Sequence, residues 1–228
     1  EYLDMLERNM VDGIITGSHC LDGEEYLRQK KPIVSIDRDF GPQIPIVGSN
    51  HVMGGRLAAE LMLCNHCKKV LQISGVSPNI FANERHVTFQ EILEGEHVQV
   101  LQETMDWNTF EWDAYYGMAQ KILKKHPDID GVFGGDLGIV ACMNVALQRG
   151  MKIPEDICFV GFDATSITRM VYPVVTSIRQ NVELLAEVSV NTLLDRVEQR
   201  KNVPHRQILD VDIQFGQTTL PENEASIL

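Results

Sequence analysis

The sequence predicts an α/β fold in which parallel sheets are flanked by helices. Short apolar runs alternate with stretches of helical periodicity along nearly the whole chain. The run Ile157-Cys158-Phe159-Val160-Gly161-Phe162 is apolar throughout, as expected of a strand covered on both faces. Each apolar run ends in short polar or glycine residues that lead into a helix, the signature of right-handed crossovers between parallel strands.

Taken in order, Leu3 to Met10 reads as the tail of a helix, and Val11 to Thr16 as a short buried strand ending at Gly17-Ser18. A helix from Gly23 to Lys30 and a strand from Pro32 to Asp37 follow. Beyond the Gly41-Pro42 and Pro45 breaks, Asn50 caps a helix from about Met53 to Cys64, with Leu57, Ala58, Leu61 and Met62 at helical spacing. Val70 to Ile73 is a strand, Glu84 to Leu93 a helix, and His97 to Leu101 a weaker strand. Asp113 to Lys125 is helical and Gly131 to Phe133 extended. A helix from Leu137 to Arg149 has Asp136 as N-cap and Gly150 as C-cap. After the apolar strand, Pro173 to Gln180 is extended, Val182 to Gln199 a long helix, and Arg206 to Phe215 a strand. The residues after Leu220 lack a core-building pattern.

At 228 residues, with roughly 150 per domain, the chain makes one large domain or two small lobes. Apolar residues are 44% and charged residues 23%, which excludes disordered and collagen-like classes. Twenty Lys+Arg against 32 Asp+Glu leave a net charge of -12. The basic clusters Lys30-Lys31, Lys68-Lys69 and Lys124-Lys125-His126 are short and scattered, so this chain is a poor binder of nucleic acid or anionic membrane. No run of about 18 apolar residues spans a membrane. The acidic, amphipathic start Glu1 to Glu7 is not a signal peptide. Five cysteines, an odd number lying mostly inside apolar runs, suit reduced thiols and a cytoplasmic location.

Chemical motifs are few. Cys64-Asn65-His66-Cys67 has the spacing of a redox or zinc pair, but a zinc site needs four ligands and no second Cys/His pair stands at ligand spacing. It is read as the close of a helix before a strand, and no metal is expected. Phosphate-binding glycine loops, a dinucleotide fingerprint and a nucleophile elbow are all missing, so no cofactor and no enzymatic activity are expected. In an open parallel sheet, ligands bind at the carboxyl ends of the strands. Those ends carry Gly17-Ser18-His19, Asp37-Arg38, Ser74-Gly75, Gly134-Gly135-Asp136 and Asp163-Ala164-Thr165, short polar groups suited to a hydroxylated ligand.

Four stretches carry a family resemblance. They are Val11 to Ile15 with Pro32 to Arg38; Gly54-Gly55-Arg56-Leu57-Ala58-Ala59 leading to His66 and Ile73-Ser74-Gly75; Arg85 through Phe89; and Ile153 to Ile157 through Gly161-Phe162-Asp163, with Pro173 and Thr176 to Gln180. Together, from about residue 1 to Leu220, they resemble the effector-binding domain of the LacI/GalR family of transcriptional regulators. The resemblance implies two similar α/β lobes joined by crossing strands, like periplasmic sugar-binding proteins, with ligand between them. The amino-terminal lobe would comprise 1–67 and 179–204 and lack its first strand-helix-strand; the carboxyl-terminal lobe would comprise 68–178 and 205–220, with 221–228 a tail.

Carried over residue by residue, Arg85 matches the arginine that reaches ligand hydroxyls, its guanidinium fork donating to two adjacent oxygens. Asp163 matches the aspartate that accepts from sugar hydroxyls, and Gln180 a glutamine that closes the site from the hinge. Trp112 stands where some members place a stacking aromatic, with Trp107 its competitor and packing at a helix start the alternative. Asp136 is a ligand or only a cap. Phe81 is a second platform, and Asn50 and His51 are weaker candidates from the first lobe. Gly135 stands where the family often has Asn, Thr88 where it has a helix Gly, and Asn65 where it has Gly before the helix-ending His.

The resemblance thus implies the effector-binding and dimerisation region of a bacterial sugar-responsive repressor. A small carbohydrate or sugar phosphate is the expected effector, and operator DNA would be bound through a helix-turn-helix module outside this chain. The alternatives are a periplasmic sugar-binding protein of a transporter and a regulator controlled by a phosphocarrier protein.

Overall fold

The computed structural model describes residues 11–17, 23–75, 81–106, 111–200 and 202–220. The expected helix tail before Met10, the strand-end residues Ser18 and His19, Trp107 and the tail after Leu220 lie outside them. Two compact units form: Glu1–Asn50, Ile80–Ala82 and Asn181–Asp210 in one, His51–Asn79, Asn83–Gln180 and Val211–Leu228 in the other.

The smaller unit holds a parallel sheet in the order β1-β2-β3-β9: β1 (Ile14–Thr16), β2 (Ile33–Ile36), β3 (Ile46–Ser49) and β9 (Arg206–Leu209). The short helix α1 (Gly23–Leu27) brings Tyr26 into a core with Ile14, Ile33, Phe40 and Ile44. The long helix α7 (Val182–Val197) packs Leu185, Val188 and Leu193 against Val34 and Val47. Asn181 caps this helix, its side chain accepting from the Leu184 N–H at 3.0 Å.

The larger unit holds six strands in the order β10-β8-β7-β6-β4-β5. β4 (Lys69–Gly75), β5 (Gln99–Met105), β6 (Gly131–Gly135), β7 (Cys158–Asp163) and β8 (Thr176–Arg179) are parallel, and β10 (Asp212–Gln214) closes the edge antiparallel to β8. Because strand side chains alternate, Val70, Phe133, Val160 and Phe162 meet α2 (His51–Cys64) and α3 (Glu84–Gly95) through Ala58, Leu61, Met62, Phe89 and Leu93. Leu71, Ile73, Val132 and Phe159 meet α4 (Trp112–Lys125) and α5 (Asp136–Gln148). The short helix α6 (Ile167–Met170) follows β7.

Three expectations change. The boundary expected near residue 68 lies after Asn50, because the apolar face of α2 finds its complement in α3, β7 and β8 of the larger unit. The single strand expected from Arg206 to Phe215 is two: β9 joins β3 in the smaller sheet and β10 joins β8 in the larger, so the 179–204 and 205–220 division moves to Asn181–Asp210. Strand β3, read as a break around Pro45, is a fully buried central strand of the smaller sheet.

Candidate functional site

The carboxyl ends of β6, β7 and β8, with the amino-terminal turns of α2 and α3, gather most of the residues singled out from sequence. Phe162, fully buried near the end of β7, is the centre. The Arg85 guanidinium carbon, on α3, lies 4.1 Å from its ring centroid. His51, the first residue of α2, stacks on the same ring at 5.6 Å. The Gly54-Gly55 pair allows this close approach. A Cβ at Gly54 would sit 2.6 Å from Phe162 Cε2, and one at Gly55 would strike the Arg85 carbonyl oxygen. Two glycines inside a helix each cost roughly 1 kcal/mol relative to alanine, offset here by packing that seats Arg85 over the ring.

His86, beside Arg85, is buried against Phe133, and its Nε2 accepts from Arg85 Nε at 3.3 Å. Burial, then the Arg85 charge, then His51, hold its imidazole well below the usual range, so it stays neutral and accepts from the guanidinium.

Asp163 closes β7 in a backbone conformation uncommon for side-chain-bearing residues, with φ of 105°, and Ala164 follows at 53°. Gln180, just past β8, donates from Nε2 to Asp163 Oδ1 at 2.5 Å. Arg85 on the Phe162 ring, and Asp163 paired with Gln180, thus both stand at the carboxyl end of β7, and all three residues are half-buried.

Asp136 does not have its expected cap role. It is the first residue of α5, Gly135 occupies the cap position, and no side-chain cap bond forms. Its buried carboxyl instead accepts from Ser177 Oγ at 2.8 Å and from both Thr165 N and Thr165 Oγ1 at 2.7 Å. Burial pushes it up to about 6, against the pull of the Thr165 and Ser177 hydrogen bonds, and the Asp163 charge adds to the rise.

The remaining candidates separate from this cluster. Trp112 is 38% exposed at the start of α4 and stacks on Tyr116 at 5.8 Å. Asn50 belongs to the smaller unit, where its amide donates to Asp210 Oδ1 at 3.0 Å; α2 begins at His51, not at Met53. Phe81 opens a 3₁₀ turn, Phe81–Asn83, ahead of α3. Thr165 stood in the sequence only among the strand-end polar groups, and Phe162 and Ser177 only within the apolar run or the stretches that carry the resemblance; none had a role of its own. An apolar residue inside an apolar strand and two small hydroxyls carry no local signal of a site.

A periplasmic binding protein-like domain family matches residues 60–219. The sucrose operon repressor of Streptococcus mutans is 31% identical over 220 residues, covering 96% of this chain and 67% of its own length. The chain belongs to the LacI/GalR family. The ribose operon repressor of Halalkalibacterium halodurans is 30% identical over 220 residues, covering 96% of the chain and 66% of its own length. This LacI/GalR domain therefore spans about two thirds of the length of the curated relatives it matches. Among solved structures, a LacI family transcriptional regulator from Enterococcus faecalis with bound ribose superposes with a TM-score of 0.81 at 25% identity, covering 96% of this chain and 82% of that one.

Membership supports the effector domain of a repressor over the transport-protein alternative, since the curated relatives named here are operon repressors. Among the described residues no helix is long and apolar enough to cross a membrane. Nor, among them, do three His, Cys, Asp or Glu side chains gather as metal ligands.

Proposed function

We propose that the carboxyl ends of β6, β7 and β8 form a carbohydrate-binding surface that controls operator binding by the full-length repressor. The observation that carries this is that the end of β7 holds two polar arrangements, Arg85 over the Phe162 ring and Gln180 donating to Asp163, the next residue of the strand. A guanidinium fork donates to two vicinal hydroxyls, a carboxylate accepts from one, and a carboxamide does both. A neutral sugar fits this set better than a sugar phosphate, because the set offers one guanidinium against a carboxylate that repels a phosphate. Trp112 supplies a stacking face for a second sugar ring if the effector is a disaccharide.

Relatives named for sucrose and ribose operons support a sugar effector for this chain, mono- or disaccharide. The full-length protein would act in the cytoplasm as a homodimer on two operator half-sites, the net charge of -12 leaving DNA contact to a separate helix-turn-helix module. Effector binding would change operator affinity through a coupling free energy of about 1–3 kcal/mol.

Isothermal titration of the chain with neutral mono- and disaccharides and their phosphates tests the assignment. The expected result is binding of a neutral sugar that Asp163→Ala and Arg85→Ala each abolish or weaken at least tenfold. Binding unaffected by both substitutions, or no binding by any sugar of the panel, overturns it.

A further inference from the structure

The Asp163–Ala164 turn has positive φ at two consecutive residues that are not glycine, and such a conformation persists only where the surroundings hold it. Its holders are visible. The Ala164 N–H donates to Ser177 Oγ at 3.1 Å, and the next amide, of Thr165, donates to Asp136 Oδ2. The Ser177 hydroxyl gives its own proton to Asp136 Oδ1, which turns an oxygen lone pair toward Ala164. One buried carboxylate on α5 thus binds one turn amide directly and orients the acceptor of the other. β7 makes room for it at Gly161, where a Cβ would strike Asp136 Oδ1 and lie 2.8 Å from Ser177 Oγ.

We propose that Asp136 is a positioning residue for effector recognition: through Thr165 and Ser177 it fixes the left-handed turn that aims the Asp163 carboxylate, and protonation of Asp136 releases that turn. The proposal rests on the reading of Asp163 as a sugar ligand. Ionised, Asp136 is acceptor-only and matches the three donors that face it. Protonated, it presents an O–H, so one of those contacts is lost or one of the two hydroxyls must turn round to accept, and either change disturbs the set that holds the turn. The groups facing it are the Thr165 hydroxyl and amide from the β7 end, the Ser177 hydroxyl from β8, and the Asp163 charge. Arg179, two residues beyond Ser177, is engaged with Asp212 of β10. Because Asp136 titrates near 6, the release falls within a mildly acidic range.

Two readouts test this on the intact chain. Sugar affinity is measured by calorimetry from about pH 7.5 to about pH 5, and amide hydrogen exchange of Ala164 and Thr165 is followed by NMR over the same range. Asp136→Asn, which imitates the protonated shape, is expected to bind sugar about tenfold more weakly at the upper pH, the scale of one hydrogen bond to a charged group. Wild-type affinity should fall toward the Asp136→Asn value as pH drops, and that variant should show no matching pH step. Thr165→Val should lose affinity and Thr165→Ser restore it, which keeps the test available should Asp136→Asn fold poorly. Ala164 and Thr165 amides should be protected in wild type at the upper pH and exchange faster in Asp136→Asn. Unchanged affinity and unchanged protection in the variants overturn the proposal. Failure of the sugar reading shows separately, as wild-type protein that binds no sugar of the panel; the exchange rates then decide alone whether Asp136 holds the turn.

Discussion

The Arg85 guanidinium lies over the ring of Phe162, 4.1 Å from its centroid, joining helix α3 to the end of strand β7. This contact uses the planar, delocalised form of the guanidinium, which a lysine ammonium does not reproduce. Arg85→Lys is therefore expected to lower sugar affinity at least tenfold despite keeping the charge. A double-mutant cycle of Arg85→Met and Phe162→Leu, followed by chemical denaturation, should show a coupling of about 1 kcal/mol, the size of a half-buried cation–π pair. Additive effects would mean that the contact contributes packing alone.

Asp136 imposes a pH dependence on stability with a definite sign. Its pKa is raised from 3.8 to about 6 in the folded protein, so between these values the native state binds more protons than the unfolded chain. Stability from this group is full below pH 4 and is lost as pH rises through 6, a change of about 3 kcal/mol at 1.36 kcal/mol per unit. The stability of wild type relative to Asp136→Asn should thus decline from pH 4 to pH 6.5 and then level off. A flat difference between the two denaturation series would contradict a raised pKa.

His86 acts in the opposite direction. Its imidazole is held well below its ordinary value, so the unfolded chain takes up a proton that the native protein refuses. The stability this represents is present above the ordinary histidine value of about 6.5 and is lost as pH falls below it. His86→Gln should remove that acid-side loss, visible as a shallower decline of the denaturation midpoint between about pH 6.5 and pH 5.

Gly55→Ala reverses the usual helix rule. Alanine improves intrinsic propensity by about 1 kcal/mol, yet its Cβ would meet the Arg85 carbonyl oxygen, part of the α3 backbone. The helices must separate, so the variant is expected to lose about 1–3 kcal/mol of stability and to bind sugar more weakly. A stabilised Gly55→Ala protein would show that the α2–α3 contact is looser than described.

The described cysteines should differ in reactivity. Burial pushes the Cys142 thiol up to about 12, and Cys158 is raised by its hydrogen bond with Cys67 and by burial. Cys64, half-buried at the end of α2, is the one with access. Alkylation of native protein followed by peptide mapping should therefore label Cys64 first among these four. Labelling of Cys142 at a similar rate would indicate global opening.

Much of the α/β order was legible locally. The fully apolar β7, the helical spacing of Leu57, Ala58, Leu61 and Met62, and the glycine after α5 announce themselves, because period and turn chemistry act over a few residues. β3 was missed because Pro45 reads as a break, although a proline immediately before a strand withholds no ladder donor from within it. The unit boundary was misplaced because α2 carries a helical apolar face whichever sheet it covers. Only the match of that face to Phe89, Leu93 and Phe162 decides.

By itself, the sequence determined the fold class, the family motifs and the residue types able to meet a sugar, including Arg85, Asp163 and Gln180. The tertiary structure alone decided what each of these residues packs against. It brought Arg85 onto Phe162, 77 positions further along the chain, and left Trp112 stacked on Tyr116. It also turned Asp136 from a helix cap into the buried acceptor behind Asp163. The reason is physical: periodicity and capping are short-range, whereas the partners of a buried charge or ring are set by which strands and helices the chain packs side by side.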